Sequence, residues 1–175
     1  MENKNFIVRK ALKKDIPDIL RITKEVFQNY KEAAGIEYKI PALLDTYEYI
    51  EQEIEEKMFL VATIDDIVVG SVRVEIRDDG TAYLSRFGVD VSQQRNGVGA
   101  ILIDGVDEVM KELGIEKLYL HTASKVLLLI KFYYGKGFYI DSTTKDRGYI
   151  RALLCKEYEA TNESSQDKIY SRCAM

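Results

Sequence analysis

The 175-residue chain has a formal net charge of −4, and 46% of its residues are hydrophobic. This length and apolar content suffice for one core, which predicts a single domain over residues 1–157. The acidic balance and the absence of a Lys/Arg block argue against nucleic acid as a stable partner. With His121 as the only histidine and only two cysteines, no histidine-rich or cysteine-rich metal site can form, so no metal is expected.

The cysteine spacing, the apolar runs and the N-terminal segment predict where in the cell the protein is found. Cys155 and Cys173 form no Cys-x-x-Cys pair and no signal peptide is recognisable, which predicts free thiols and a cytoplasmic location. The longest apolar run, residues 126–130, is too short to cross a bilayer, so no membrane partner is expected. After residue 157 the composition becomes polar, which predicts a mobile C-terminal tail over residues 158–175.

Hydrophobic periodicity predicts a strand and two helices in the first third of the chain. Residues 6–9 alternate as a strand, and Asp15 is expected to cap the helix that follows. Asp45 with Glu48 three residues later is a capping-box arrangement, which predicts the start of the second helix. A loop is expected between the two helices.

Three strands are predicted next, over residues 58–63, 67–76 and 81–91. The Asp79-Gly80 dipeptide favours a two-residue hairpin turn between the second and the third. That turn would place Glu75 opposite Leu84 and Arg73 opposite Arg86. Two opposed arginines would repel each other, so either Glu75 lies diagonally between the charges and relieves the repulsion, or this register is wrong.

Where the third strand ends, the sequence predicts a polar loop and the N-terminus of a helix. The first helical turn has N–H groups without intrahelical partners and carries positive partial charge, so it attracts anions. Glycines allow close approach because they lack Cβ. We therefore predict a phosphate or pyrophosphate site, the phosphate loop, at residues 94–100. Its expected ligand-holding residues are Gln94, Arg95, Asn96, Gly97, Gly99 and Ala100. Simple capping of the helix by the two glycines is the alternative.

The remaining elements follow in order. The helix after the phosphate loop is expected to end at Leu113-Gly114, and a strand is predicted over residues 117–122. A second helix begins near Val126 and is expected to stop at Gly135, where the backbone can turn left-handed. Two closing strands, residues 138–140 and 149–156, are predicted around a polar loop.

Known phosphate-binding motifs distinguish the possible ligands. The P-loop pattern is absent, and the dinucleotide pattern Gly-x-Gly-x-x-Gly has Leu102 at its sixth position. Residues 94–99 instead match Gln/Arg-x-x-Gly-x-Gly/Ala after the strand Phe87-Gly88-Val89. Residues 129–138 add an aromatic-Tyr pair followed by Gly-Phe. Together the two segments resemble the motifs of the GNAT superfamily of N-acetyltransferases.

This resemblance implies a fold and an activity. It implies an α/β (α+β) domain with a mostly antiparallel sheet of six to seven strands, splayed at Val89 and flanked by about four helices. It also implies transfer of the acetyl group of acetyl-CoA, as cosubstrate, directly to a primary amine of a small molecule or peptide. A homodimer is plausible by the same resemblance. A non-catalytic acyl-CoA-binding or regulatory module and a dinucleotide-binding enzyme are the alternatives.

The resemblance also assigns site residues. It implies that the backbone of Phe87 and Val89 lies beside the pantetheine arm and that Tyr133 protonates the departing thiolate. A phenol can donate a proton at neutral pH, although Tyr133 also fits the role of a core aromatic.

The attacking amine must lose a proton, and the sequence offers several candidates to accept it. The expected strands could point Glu75, His121 or Ser85 into the cleft, and His121 titrates near neutrality. A hydrogen-bonded surface histidine is the alternative for His121. In the family, acceptor choice comes from segments corresponding to residues 30–54 and 142–148. Tyrosines among glutamates in the first segment suit a cationic amine.

Overall fold

The computed structural model describes residues 6–159, which form a seven-stranded sheet with helices on both faces. The strands are β1 Phe6–Lys10, β2 Met58–Ile64, β3 Ile67–Ile76, β4 Thr81–Val89, β5 Lys117–Ala123, β6 Tyr139–Thr144 and β7 Arg151–Glu157. The helices are α1 Ile16–Ala34, α2 Tyr47–Glu56, α3 Val98–Glu112 and α4 Leu127–Gly135. The strand order is β1-β2-β3-β4-β5-β7-β6, and β4–β5 is the parallel pair. The predicted α/β class with a mostly antiparallel sheet is confirmed.

Alternation along β2 divides the core between the two faces of the sheet. Leu60 and Ala62 belong to the cluster that α3 covers, whereas Phe59 and Val61 belong to the cluster that α1 and α2 cover. All four residues are at most 4% exposed. A strand buried on both faces explains why this segment is a continuous apolar run rather than an alternating one.

Both acidic residues predicted to cap helices have other partners. The Asp15 carboxylate lies just before α1 but binds the Arg9 guanidinium, with distances of 2.7 and 2.9 Å. Helix α2 is capped by Thr46, whose hydroxyl accepts from the amide three residues later at 3.2 Å. The Asp45 carboxylate instead binds the Arg86 guanidinium. The predicted cap of α2 was therefore one residue too early, because the Asp45 carboxylate binds an arginine that is far away in the sequence.

The predicted register of the β3–β4 hairpin was wrong by one residue. The turn uses three residues, 78–80, and the glycine that ends it has φ +80°. This is the pattern of a three-residue loop that closes with a left-handed glycine. Glu75 therefore lies opposite Tyr83 and Arg73 opposite Ser85. The expected arginine repulsion is replaced by a hydrogen bond from Arg73 Nε to the Ser85 hydroxyl, at 3.0 Å.

The C-terminal part differs from expectation in detail. Helix α4 ends at Gly135, but the left-handed glycine is Gly137, with φ +88°. The Tyr158 side chain still packs against the core and donates to Asp107 at 2.7 Å. The rest of the predicted tail, residues 160–175, lies outside the described residues. Within residues 6–159, no helix is long and apolar enough to cross a membrane.

Candidate active site

The centre of the sheet opens between β4 and β5. These strands pair over only three residues each, Thr81 to Tyr83 with Lys117 to Tyr119. Beyond them, no register partner joins the facing edges of β4 and β5 in the described part of the chain. Backbone N–H and C=O groups need hydrogen-bond partners, so an opened sheet edge can bind an extended ligand that carries amide groups. We call this opening the splay.

A bulge in β4 lies beside the splay. Between the pairs Ser71–Gly88 and Arg73–Ser85, two residues of β4 oppose one residue of β3. The first of the two is Arg86, which has φ +53°. An extra residue reverses the face to which the following side chains point, so the bulge determines where the second half of β4 directs them.

Residues 94–100, the phosphate loop, form a loop and the N-terminus of α3, which is the local structure predicted for them. Gly97 caps the helix in a left-handed conformation, with φ +83° and ψ −1°. The first intrahelical bond runs from the Ile101 amide to the Gly97 carbonyl at 3.0 Å, so the amides of residues 97–100 lack intrahelical partners. The Gln94 side chain donates to the Val89 carbonyl at 3.2 Å and braces the loop against β4.

The other loop residues differ in what they offer to a ligand. Arg95 is exposed, has φ +67° and forms no ion pair with any residue between 6 and 159. The Asn96 amide donates to the Gln93 side chain at 3.3 Å. Ala100 lines an open groove of about 500 Å³ between α3 and α4. Arg95 and the helix amides are therefore the groups best placed to hold an anion.

The two glycines of the phosphate loop serve different purposes. A Cβ added at Gly97 would meet nothing within 4 Å, so no steric clash requires a glycine here. Its positive φ does favour glycine, and the space above it is open. A Cβ added at Gly99 would lie 3.1 Å from Phe87 Cζ and 3.4 Å from Phe132 Cζ. Gly99 therefore lets two aromatic rings pack closely on the start of α3.

Tyr133 forms an aromatic cluster with Phe87, Phe132 and Phe138, and it is only 5% exposed. Its ring centroid is 6.1 Å from that of Phe87, 5.3 Å from that of Phe132 and 5.5 Å from that of Phe138. Burial raises the pKa of the Tyr133 phenol, and the nearby phenols of Tyr30 and Tyr83 add to this. The phenol is therefore protonated at neutral pH, which is the state an acid requires.

His121 lies on β5, just beyond the last residue that pairs with β4. The Tyr83 hydroxyl and His121 Nδ1 form a hydrogen bond of 2.8 Å that links β4 to β5. Burial lowers the pKa of His121, and the positive charges of Arg151 and Arg147 lower it further, whereas Asp146 raises it. The imidazole is therefore neutral at neutral pH and can accept a proton.

The arrangement matches a known family. The Acetyltransferase (GNAT) family model matches residues 23–138, which include the splay, the phosphate loop and Tyr133. The chain belongs to this GNAT acetyltransferase family. It is thus an acyltransferase.

Solved structures share the fold of this acetyltransferase. The PaiA N-acetyltransferase from Thermoplasma acidophilum, in complex with coenzyme A, has a TM-score of 0.76 at 21% identity, covering 88% of this chain and 99% of that one. The ribosomal-protein-S18-alanine N-acetyltransferase from Escherichia coli has a TM-score of 0.72 at 14% identity, covering 91% and 98%. The ribosomal-protein-alanine N-acetyltransferase from Brucella melitensis has a TM-score of 0.69 at 21% identity, covering 87% and 99%. No curated protein sequence matches significantly.

The other two candidate bases of the acetyltransferase have charged partners. The Glu75 side chain is 47% exposed and lies 3.1 Å from Lys57. The Ser85 hydroxyl accepts from Arg73, whose guanidinium also binds Glu53 and the Tyr49 hydroxyl. Among the three candidates, His121 is the one that hydrogen-bonds across the opening between β4 and β5.

Sequence reasoning missed two groups near the site of the acetyltransferase. The Tyr30 hydroxyl accepts from the Ala123 amide at 2.7 Å and joins α1 to the end of β5. Lys131 lines the groove between α3 and α4. It lies within the second motif segment, residues 129–138, but the motif gives it no role. The contact of Tyr30 spans 93 positions in the sequence, so no local signal could have identified it.

Proposed function

We propose that this acetyltransferase moves the acetyl group of acetyl-CoA directly to a primary amine of a small molecule or peptide. The observation that carries the proposal is the juxtaposition of the splay, the open N-terminus of α3 and a buried protonated phenol. Coenzyme A carries a pyrophosphate and an arm with two amide groups, which fit a helix N-terminus and an unpaired strand edge respectively. Gly97 leaves open space above the helix end for the pyrophosphate.

Each part of the ligand has a proposed place. The pyrophosphate meets the amides at the start of α3 and the Arg95 guanidinium. The pantetheine arm lies along the edge of β4 beside the backbone of Phe87 and Val89. The thioester then reaches the inner part of the splay, where Tyr133 lies. No metal is required for this chemistry, and the described residues contain no cluster of potential ligands for one.

In the proposed reaction the amine nitrogen attacks the thioester carbonyl carbon, the new C–N bond forms and the C–S bond breaks. Tyr133 gives its proton to the departing sulfur, and His121 accepts the proton that the amine loses, directly or through water. Glu75 is the second candidate for this base. Most of the rate enhancement would come from holding the two reactants together and from backbone donors near the developing oxyanion.

The acceptor would enter between the segment after α1 and the β6–β7 loop. A Cβ added at Gly148 would lie 3.6 Å from Tyr38, so these two segments are in close contact. Two of the glutamates of α2 are neutralised by lysine or arginine: Glu53 binds Arg73, and Glu51 binds Lys13. Their ion pairs weaken the argument for a cationic acceptor. The names of two structural relatives refer to ribosomal-protein alanine, which supports including a peptide amine among the candidates.

Calorimetric titration with acetyl-CoA tests the proposal, with NAD and ATP as controls under the same conditions. We expect selective binding of acetyl-CoA. A panel of a polyamine, an amino acid and a peptide with a free N-terminal alanine would follow, with release of the CoA thiol as the signal. No binding at millimolar acetyl-CoA from folded protein would overturn the proposal. Binding without thiol release for any amine would favour the non-catalytic acyl-CoA-binding module.

A further inference from the structure

A partly buried ion pair lies at the bulge of β4. Asp45 Oδ2 lies 2.7 Å from Arg86 Nε, and Asp45 Oδ1 lies 3.0 Å from Arg86 Nη2. The two side chains are only 6% and 16% exposed. Bidentate pairing of this kind fixes the position of a guanidinium as well as its charge. The pair joins the segment before α2 to the strand beside the splay.

The backbone at Arg86 needs such support. Bulges whose first residue has positive φ usually have glycine there, because a Cβ makes this conformation costly. Three other non-glycine residues between 6 and 159 have positive φ, and all of them lie in turns or loops: Asp65, Asp66 and Arg95. Arg86 adopts it inside a strand. The ion pair offers a physical reason why an arginine keeps this conformation.

The bulge determines where Phe87 points. Ser85 and Gly88 face the side of α1 and α2, because they pair with Arg73 and Ser71, and a Cβ at Gly88 would meet α1. Phe87 faces the opposite side and stacks on Phe132, with centroids 5.6 Å apart and planes inclined by 17°. Without the extra residue, Phe87 would share the face of Ser85 and would leave the aromatic cluster that surrounds Tyr133.

We propose that Asp45 is a positioning residue. Through Arg86 it holds the β4 bulge, which turns Phe87 toward Phe132 and so fixes the aromatic rings that surround Tyr133. This inference rests on the proposed acetyl transfer, since it assigns Asp45 to the geometry of that reaction. Asp45 itself touches neither reactant. Displacement of reacting groups by about 1 Å can cost on the order of 100-fold in rate, so a supporting contact of this kind has a measurable effect.

Two double variants isolate the role of the backbone from that of the charges. Asp45→Asn/Arg86→Gly and Asp45→Asn/Arg86→Ala both remove the charged pair and leave no buried charge unpaired. They differ by a single Cβ at the position with φ +53°. Because glycine accepts positive φ and alanine resists it, we expect the glycine variant to keep the bulge and the alanine variant to lose it.

The readouts are turnover with the most active amine of the panel, acetyl-CoA affinity by calorimetry, and crystal structures of both variants. We expect the glycine variant to retain kcat within about 3-fold of the original protein, and the alanine variant to lose about 10-fold or more. The alanine variant should also show Phe87 displaced from Phe132. A merely structural role for the ion pair predicts equal losses, or a greater loss for the more flexible glycine variant.

A matched control removes another bidentate Asp–Arg pair. Asp15 binds Arg9 with distances of 2.7 and 2.9 Å, and its side chain is 3% exposed. Asp15→Asn should lower thermal stability but leave kcat of the folded protein unchanged. If the alanine double variant does not fold, Asp45→Asn and its rescue by Arg86→Gly test the same contrast.

Two results would overturn the inference: equal kcat in the two double variants, or Phe87 still stacked on Phe132 in the alanine variant. Failure of the proposed function looks different, because the original protein would then release no CoA with any amine. In that case the two crystal structures still decide whether the ion pair holds the bulge.

Discussion

Two kinds of contact build the region around the splay. The phosphate loop, proposed to hold the acetyl donor, and the rings of Phe132, Tyr133 and Phe138 come from short, consecutive segments of the chain. Other contacts join residues far apart in sequence: Asp45 with Arg86 over 41 positions, Tyr83 with His121 over 38, and Tyr30 with Ala123 over 93. The stacking of Phe87 on Phe132 is of this second kind. The difference shows that the segments proposed to act on the donor are encoded locally, whereas their placement against β4, and the proposed acceptor side at His121, depend on the completed fold.

The largest effect is expected at Tyr133, on the donor side. Tyr133→Phe keeps the ring but removes the proton proposed for the thiolate, so kcat should fall by about 10²–10⁴-fold, the usual contribution of a general acid. Acetyl-CoA affinity should not change, because the aromatic packing remains. Tyr134→Phe is the matched control, since Tyr134 is 50% exposed and its hydroxyl only accepts from the Ile140 amide at 3.3 Å. Unchanged turnover in Tyr133→Phe would remove Tyr133 from the mechanism.

A smaller loss is expected at His121, on the acceptor side. His121→Gln should lower kcat by roughly 10²-fold near neutral pH. Because the pKa of His121 is lowered from its ordinary value of 6.5, the neutral base persists below that pH. The kcat of the original protein should therefore fall only as pH drops through a midpoint below 6.5, and this fall should be absent from the variant. The relevant charges around the imidazole are those of Arg151, Arg147 and Asp146, and its hydrogen-bond partner is Tyr83.

Comparison with Glu75→Gln separates the two candidate bases in the same pH profiles. We expect Glu75→Gln to change kcat by less than about 2-fold, because exposed ion pairs such as that with Lys57 contribute little. If Glu75→Gln removes the acidic fall in kcat and His121→Gln does not, Glu75 is the base.

Effects mainly on stability are expected in the phosphate loop, where two alanine substitutions test the different purposes of its glycines. Gly97→Ala should cost about 1–2 kcal/mol of unfolding free energy, because alanine resists positive φ. Gly99→Ala should cost about 1–3 kcal/mol, because its Cβ would crowd the ring of Phe87. Urea denaturation measures both. Gly99→Ala should also lower kcat, because it displaces Phe87. An effect of Gly97→Ala on kcat without an effect on acetyl-CoA affinity would contradict the different purposes assigned to the two glycines.

What could be predicted from the sequence follows the same division between local contacts and contacts over long sequence distances. The loop before α3 and the seven strands could be predicted because apolar periodicity and glycine spacing are local signals. The role of Tyr133 comes from the family resemblance and stays a prediction, as does phosphate binding by the loop. The partners of Asp15 and Asp45 could not, because each residue fits a helix cap locally and only the folded chain places an arginine beside it. The hairpin register failed for a related reason: Asp79-Gly80 suits both a two-residue and a three-residue turn. The bulge at Arg86 lacks the glycine that usually marks one.

The three-residue contact between β4 and β5 also has a mechanical consequence. It divides the sheet into two parts, β1 to β4 and β5 to β7, which are joined only by the short β4–β5 pairing. An extended molecule that hydrogen-bonds to the free edges of both strands would serve as an additional strand and extend this connection. Binding would then join the two parts more firmly and raise the free energy of unfolding in proportion to the logarithm of ligand concentration. On this view the donor is a removable part of the scaffold, inserted and withdrawn in every catalytic cycle.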